Sequence, residues 1–593
     1  MEKTEKSENS EKPEKLEKPE KEDKEEKTEK NEKNEKNDEN DENAKILQNP
    51  EDINTILTKT AKNVSNFFAL SIITKVVNLF CNIVLVRHIT KEAYGIAKIY
   101  FEFAFLLMVF FPRETIRKTA QKFCPDSDPK NEEKKYYITC QLHVIISSLM
   151  AIFGVFMYFS FLIFGNESVR KNQIQLLIYI VCGVIEMLSE PVIDYMNLHI
   201  ENKQVPVTIG NFGRVISNMV FAVLLGLDLW SFTLSRLCGS LAFCSYLIFI
   251  GLYKYKINFR RMIPNFKQFW YGETIDGINI VILKEILMTF VKATALKMIL
   301  GNCEKIILSF VLNSSTEEKG EYSFIVENFS FIIRFLLEPL EETFYNLVNE
   351  IKHFEKDKKD NTEISFRILR LFIKLMLIFG TLLIGYFFVS GKEFVELVYS
   401  KKWSTSSTEK IGQVYAIYIA IIAINGIIES FANATNNTKQ MSKYNILMII
   451  NSVLLCIFSF VFSKYDICGL IFANAFSMII RINGNLYIIF SGKNEELQKD
   501  KTTKPNDTLM SIRTDFLKFF REFYLSTPSC IVTVLCWIGA SFIKRTLQGR
   551  AIVIIVGCCG FIGLINVCFL YIFERRKISR EIRIIKNEEV ITI

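Results

Sequence analysis

Apolar stretches of about 18–25 residues recur along the chain from Phe67 to Phe573, separated by short polar or charged segments. As a helix, each is long enough to cross roughly 30 Å of hydrocarbon, and in lipid every backbone polar group must be bonded within its own segment. The pattern predicts about fourteen spans, at 67–88, 96–112, 137–165, 174–199, 207–228, 230–253, 286–312, 322–349, 367–389, 411–433, 443–463, 467–491, 527–543 and 551–573. The fourth, seventh and eighth are the most polar. The expected fold class is an all-α integral membrane protein.

The polar segments divide the chain. Residues 1–60 form a charged tail, almost wholly Lys, Glu, Asn and Asp from Glu2 to Asn43, which cannot bury a core and is expected to be disordered. It lacks the apolar region of a signal peptide, so the tail is expected in the cytosol with the first span as an uncleaved insertion signal. Residues 61–258 hold helices one to six, and 286–492 hold helices seven to twelve. Between them, 259–285 is a lobe linker whose stretch FRRMIPNFKQFW (259–270) mixes basic and aromatic side chains, as a segment at headgroup level does. A second cytosolic linker, 493–526, puts Phe516, Phe519, Phe520 and Phe523 on one helical stripe opposite Lys518 and Arg521. Residues 527–593 add two helices and a tail.

An even span count with a cytosolic start places both termini in the cytosol. The positive-inside rule agrees at Arg113, Arg117, Lys118 and Lys122 after span two, at Lys352, Lys356, Lys358 and Lys359 after span eight, and at Arg575, Arg576 and Lys577. The segment 390–410, with Lys392, Lys401, Lys402 and Lys410, runs against it.

Composition narrows the chemistry. The net charge of +8 sits in loops rather than on a basic face with base-reading motifs, so no nucleic-acid partner is expected. The fourteen cysteines are scattered, with no C-x-x-C and no zinc spacing, and no metal or cofactor is expected. There is no P-loop and no H-E-x-x-H, so neither ATP hydrolysis nor metalloprotease chemistry is indicated. A D-x-D at Asp126-Ser127-Asp128 reads as a solvated loop, since no nucleotide-binding fold accompanies it. Two glycosylation sequons, at Asn166 and Asn313, fall on the expected non-cytosolic side.

The informative feature is charge inside the spans: Glu102, Glu186, Glu190, Arg214, Lys292, Lys297, Glu304, Lys305, Arg334, Glu338, Glu342, Glu429 and Arg481. Each would cost about 2.5–3.5 kcal/mol at a helix centre facing lipid. They are therefore expected to face the bundle interior, either lining a hydrated cavity or forming a salt-bridge ladder between helices. Lys297 and Glu304 share a helix face, and Arg334, Glu338 and Glu342 follow one another at i, i+4. Pro112, Pro191 and Pro339 lie in or beside spans, where kinks can open a cavity.

Several of these segments together resemble one family. They are FVKATALKMILGNCEK (290–305), where Lys292, Leu296, Lys297, Leu300 and Glu304 fit its pattern and Lys305 replaces Arg, and Arg334 with EPLEETFY (338–345), where Glu338 replaces Gln. AINGIIE (423–429), GLIFANAFSMIIRI (469–482), PRETIRK (112–118) and EMLSEP (186–191) follow. In these, from about Ser65 to Leu570, the chain resembles the Rft family of the endoplasmic reticulum, linked to translocation of the dolichol-pyrophosphate oligosaccharide in N-glycosylation. The resemblance implies two pseudo-symmetric lobes around a central cavity, MurJ- and MATE-like, as in the multidrug/oligosaccharidyl-lipid/polysaccharide exporter superfamily. It implies that lipid-linked substrate and the bilayer as partners, with other proteins of the same pathway.

On this reading Arg87, Arg117, Arg214, Lys297, Lys305 and Arg334 supply cations for the pyrophosphate, arginine doing so through its bidentate fork. Glu186, Glu190, Glu304, Glu342, Glu429 and Arg481 pair those charges or gate the lobes. Three functions compete: a flippase acting from the cytosolic to the luminal leaflet, a non-transporting accessory or scaffold protein of the same pathway, and an ion-coupled drug exporter. An exporter of cations would want uncompensated acids, whereas these spans carry both signs. A membrane glycosyltransferase is more distant, and no enzyme activity is expected.

Overall fold

The computed structural model describes residues 74–110, 129–164, 167–198, 204–254, 302–312, 314–353, 358–464, 466–498, 527–547 and 552–587. The expected charged tail, the basic loop after span two, the lobe linker 259–285 and the phenylalanine stripe of 493–526 lie outside them. Among the described residues there is no strand.

In chain order the helices are α1 (74–88), α2 (Lys91–Phe110), α3 (Pro129–Phe164), the short α4 (Glu167–Lys171), α5 (Gln173–Leu198), α6 (Gln204–Val223) and α7 (Leu229–Tyr253). Next come α8, which is Cys303–Ile306 running into a π turn at Ile307–Val311, and α9, a rod made of Thr316–Ile332, a π turn Ile333–Leu337 and Glu338–His353. Then follow α10 (Lys358–Val398), α11 (Ser406–Thr435), α12 (Thr438–Phe462), α13 (Cys468–Gln498), α14 (Thr527–Thr546) and α15 (Ile552–Asn587).

Nine helices among the described residues are long and apolar enough to cross a membrane, against the fourteen predicted spans. The difference has physical sources. The first and seventh predicted spans begin outside the described residues, and α6, α9 and α13 occupy the fifth, eighth and twelfth but carry charge on their inner faces. Helix ends also overrun the apolar runs: α10 extends over Lys358–Val398 where 367–389 was expected, and α13 and α15 continue to Gln498 and Asn587. A nucleated helix propagates through Lys- and Glu-rich sequence outside hydrocarbon at little cost, so hydropathy marks the bilayer and not the helix.

The side chains are sorted as lipid requires. Phe80, Ile152, Phe164, Leu224 and Phe542 are exposed, while Asn218, Arg236, Lys319, Glu321 and Asn425 are buried. Helices α3, α5, α6 and α7 pack into one group, which α2 joins through α5 and α7, and α8 to α13 pack into another; α2 and α9 lie against each other where the groups meet. Helices α14 and α15 form a hairpin on α10, with Ala540, Ile555 and Cys559 against Val389, and Lys544 paired to Glu393 at 2.9 Å. The Trp537 indole lies where Gly385 has no Cβ.

One end of the bundle is sealed between the two groups. Trp403, fully buried, donates from Nε1 to the Val86 carbonyl at 2.8 Å and meets the Tyr94 ring edge-on at 5.6 Å. The Lys402 ammonium donates to the Ile89 carbonyl at 2.6 Å, and Arg87 donates to the carbonyls of Leu397 and Val398 at 2.9 and 2.8 Å, closing the open C-terminal turn of α10. Glu321 on α9 accepts from Lys91 at 2.5 Å and from Thr405 at 2.7 Å. Beneath them α2 and α9 touch backbone to backbone at Gly95 and Gly320. A Cβ on Gly320 would lie 2.0 Å from the Lys91 carbonyl oxygen.

Candidate functional site

Below the seal, between the first group and α9, lies a cavity of about 260 Å³. Its wall includes Lys75, Lys98, Arg214 and Arg334, with Glu102 and Glu327. That is four cations against two carboxylates, a formal surplus of positive charge. The far side of the cavity is open: Arg334 is exposed, and Lys75 reaches Glu338 at 3.5 Å on the same rim, where the Glu338 side chain is 55% exposed.

Two of the cations stand on π turns. Lys98 belongs to the π turn Ile96–Phe101 of α2, and Arg334 to Ile333–Leu337 of α9. In α9 the cause is legible: Pro339 has no N–H to give to the turn before it, and the helix widens to i, i+5 bonding there. Residues four apart then no longer stack as in a regular helix. The stripe expected at Arg334, Glu338 and Glu342 is broken accordingly: Arg334 lines the cavity, Glu338 turns to Lys75, and Glu342 is exposed outside the lining.

The charges are arranged as a chain across the cavity wall. Lys98 Nζ is 3.0 Å from Glu102 on its own helix and 2.8 Å from Glu327 on α9. Glu102 is approached by Arg236 at 3.7 Å, whose guanidinium stacks on Phe105 with 4.1 Å to the ring centre. Glu327 also accepts from the Tyr94 hydroxyl at 3.0 Å. Arg334 donates to Ser330 Oγ at 3.0 Å, and the Arg214 guanidinium makes no hydrogen bond or ion pair among the described residues. Polar neutral groups complete the wall: Asn82 donates to Asn328 at 2.8 Å, beside Asn78 and Asn218.

Of the residues expected to hold an anion, the structure brings Arg214 and Arg334 together at this cavity. Arg87 belongs instead to the sealed end, its guanidinium committed to backbone carbonyls. Lys305 is exposed on α8 and does not line the cavity. Arg117 and Lys297 lie outside the described residues.

The expected pairing residues fall in two other places. On α5, Glu186 accepts from Ser240 at 2.8 Å, and Glu190 is buried. Within the second group, Asn474 and Arg481, seven residues apart on α13, hold two acids. Asn474 donates to Glu304 at 2.7 Å, and Arg481 pairs with Glu429 at 2.5 Å. Tyr322 completes the shell of Glu304; Tyr444 at 2.6 Å and Asn425 at 3.0 Å complete that of Glu429. These acids are satisfied by protein groups, as buried charge must be.

Lys75, Lys98 and Glu327 were not singled out from sequence. A signal existed for Lys98, which lies four residues before Glu102 in the second predicted span. Nothing local marks Glu327 as its partner 229 positions away. Among the described residues no group of three His, Cys, Asp or Glu side chains is placed to hold a metal ion.

Comparison with known proteins follows the same lines. The family model described as Rft protein matches residues 59–583. The chain is 23% identical to the Man(5)GlcNAc(2)-PP-dolichol translocation protein RFT1 of Candida albicans, over 89% of this chain and 96% of that protein. It is 22% identical to the protein of the same name from Mus musculus, over 73% and 82%. The lipid II flippase MurJ in an inward closed conformation shares the fold, with a TM-score of 0.54 and 19% identity over 86% of this chain and 99% of that one. With a match covering nearly its whole membrane region, this chain belongs to the Rft protein family.

Proposed function

We propose that this chain translocates a dolichol-diphosphate-linked mannose/N-acetylglucosamine oligosaccharide from the cytosolic to the luminal leaflet of the endoplasmic reticulum membrane, for protein N-glycosylation. The observation that carries this reading is the cavity between the two helix groups with its surplus of cations. Stripping the hydration from a phosphate charge in hydrocarbon costs on the order of tens of kcal/mol in a Born treatment. Lys75, Lys98, Arg214 and Arg334 replace that hydration, and the forks of Arg214 and Arg334 match phosphate oxygens. The names carried by the fungal and animal relatives supply the substrate.

Volume limits what is enclosed. Sites for drug-sized ligands run from about 300 to 1,000 Å³, and 260 Å³ takes a diphosphate with little more of the headgroup. The glycan then trails through the open rim into water, and the prenyl chain stays in lipid. No bond is made or broken, so the chain acts as a transporter and not as an enzyme. The basic residues after spans two and eight and at the C-terminus favour a cytosolic side for the termini and the open rim, which turns the Trp403 seal toward the lumen against the pull of its own lysines, Lys392, Lys401, Lys402 and Lys410. Transport follows when the two helix groups rock, closing the rim and parting the seal.

The test is reconstitution of the purified full chain in vesicles, with leaflet-resolved measurement of a labelled lipid-linked oligosaccharide. Acceleration over empty vesicles is expected, reduced by charge reversal at Arg334. Absence of acceleration, with the vesicles validated by a second membrane activity, favours the accessory role.

A further inference from the structure

We propose that Glu327 is the resident counter-anion of Lys98, and that the diphosphate of an arriving headgroup takes its place, severing the ion pair that ties α2 to α9. This rests on the cavity reading above and adds to it how occupancy is communicated to the seal.

Lys98 is the one cavity cation bridged to both helix groups among the described residues, to Glu102 at 3.0 Å and to Glu327 at 2.8 Å. The two acids are not equivalent. Glu102 sits one turn along the same helix and is shared with Arg236, so it stays with Lys98 whatever α9 does. Glu327 belongs to the opposite group and its side chain is the more exposed, 35% against 23%. It is the acid that an incoming anion meets and can replace. The same acid takes the Tyr94 hydroxyl, so its release also frees a second tie to α2.

Above this pair α2 and α9 are held by Lys91 to Glu321, by Lys319 to the Tyr100 hydroxyl at 3.0 Å, and by the glycine contact. All lie along one seam, with Lys98–Glu327 at its cavity end. An anion on Lys98 therefore unpairs the seam from below. A ligand shifts a two-state equilibrium only through unequal affinity for the two states, and here the inequality is explicit: in the sealed state the diphosphate must compete with Glu327, and in the parted state it need not.

The test uses the full chain purified in detergent, a short-chain polyprenyl diphosphate as probe, and inorganic pyrophosphate as a second arm that separates recognition of the lipid from recognition of the headgroup alone. Two quantities are read: probe affinity, and labelling of Ser323→Cys by a hydrophilic maleimide with the native cysteines replaced by alanine. Ser323 is buried on α9, on the stripe shared by Gly320 and Glu327, and labels when α2 and α9 part. In the otherwise unaltered chain, probe is expected to raise labelling. Glu327→Gln is expected to bind probe about tenfold more tightly, because the competitor is gone, and to label strongly without probe. Lys98→Gln is expected to label strongly as well, yet to bind probe about tenfold more weakly.

The opposite signs are the discriminating result. A purely structural pair predicts that both variants lose affinity together, and that outcome overturns the exchange. If Glu327→Gln does not give a monodisperse protein, Glu327→Asp, which keeps the charge on a shorter arm, is expected to move both readouts the same way by a smaller factor; no movement overturns the proposal. Failure of the unaltered chain to bind either probe overturns the cavity reading and the exchange with it, whereas binding without the opposite responses overturns the exchange alone.

Discussion

Replacing Gly320 by alanine tests whether the seal is a closed state of a moving part or a fixed piece of the core. The added Cβ would stand 2.0 Å from the Lys91 carbonyl oxygen and 2.8 Å from its carbon, where ordinary contact begins at 3.4 Å. Both neighbours are backbone, so no side chain can rotate away, and α2 must move off α9. Overpacking of this kind costs about 1–3 kcal/mol. If α2 and α9 can part, the cost falls on the sealed state alone, and an equilibrium shift of roughly 5- to 150-fold follows. Maleimide labelling of Ser323→Cys should rise within that range while the thermal unfolding midpoint changes little. Gly95→Ala should do the same more weakly, because its Cβ would meet the Thr316 carbonyl oxygen at 2.6 Å. A lowered unfolding midpoint with unchanged labelling would refute the moving-part argument, and no change in either would refute the contact itself.

Other perturbations separate binding from support. Arg334→Glu places a carboxylate on the cavity rim and should abolish complementation of a glycosylation defect while the protein remains inserted; full complementation would remove Arg334 from the site. Arg481→Ala strands Glu429 among Tyr444 and Asn425 and should cost about 3–5 kcal/mol in unfolding free energy, whereas Glu429→Leu with Arg481→Met should recover most of it. Trp403→Ala removes a fully buried indole and its bond to Val86, costing about 3–5 kcal/mol, and should raise Ser323→Cys labelling as well as lower the unfolding midpoint. Trp537→Ala should loosen the α14–α15 hairpin from α10 and leave that labelling unchanged, since the indole meets α10 at Gly385, well before the Leu397 and Val398 carbonyls of the seal.

The membrane spans were legible because lipid and protein core both select apolar side chains, which makes a span an uninterrupted run whatever its orientation. The same fact hides the inner face: α11, with Ile419 buried and Ile421 less so, reads alike all round. Charge restores the missing direction where it occurs, which is why Arg214 and Arg334 could be picked out as cavity residues. The rule misleads near span ends. Arg87 is the last residue but one of α1, where a guanidinium reaches bare carbonyls as readily as a ligand, and it does so at the end of α10. Lys305 and Glu342, inside predicted spans, are exposed. Spacing along one helix cannot supply the partner, and the partner decides whether a charge is spent or available.

That distinction orders the whole polar interior. In the second group Glu304, Glu429 and Arg481 are closed by Asn474, Tyr322, Tyr444 and Asn425, and each shell is drawn from helices of that group, which makes it a brace. At the cavity Lys98 is tied across the groups to Glu327, and α1 is tied to α9 by Lys75 to Glu338 and Asn82 to Asn328. A tie within a group survives any relative motion of the two groups, whereas a tie across them must break or re-form in it. Two of the cavity positions, Lys98 and Arg334, stand on π turns, where the backbone already departs from regular α-helical bonding. The cavity therefore combines the surplus of positive charge, the bonds that motion must break and the irregular turns, and a mutation there should alter transport before it alters stability, the reverse of one at Arg481.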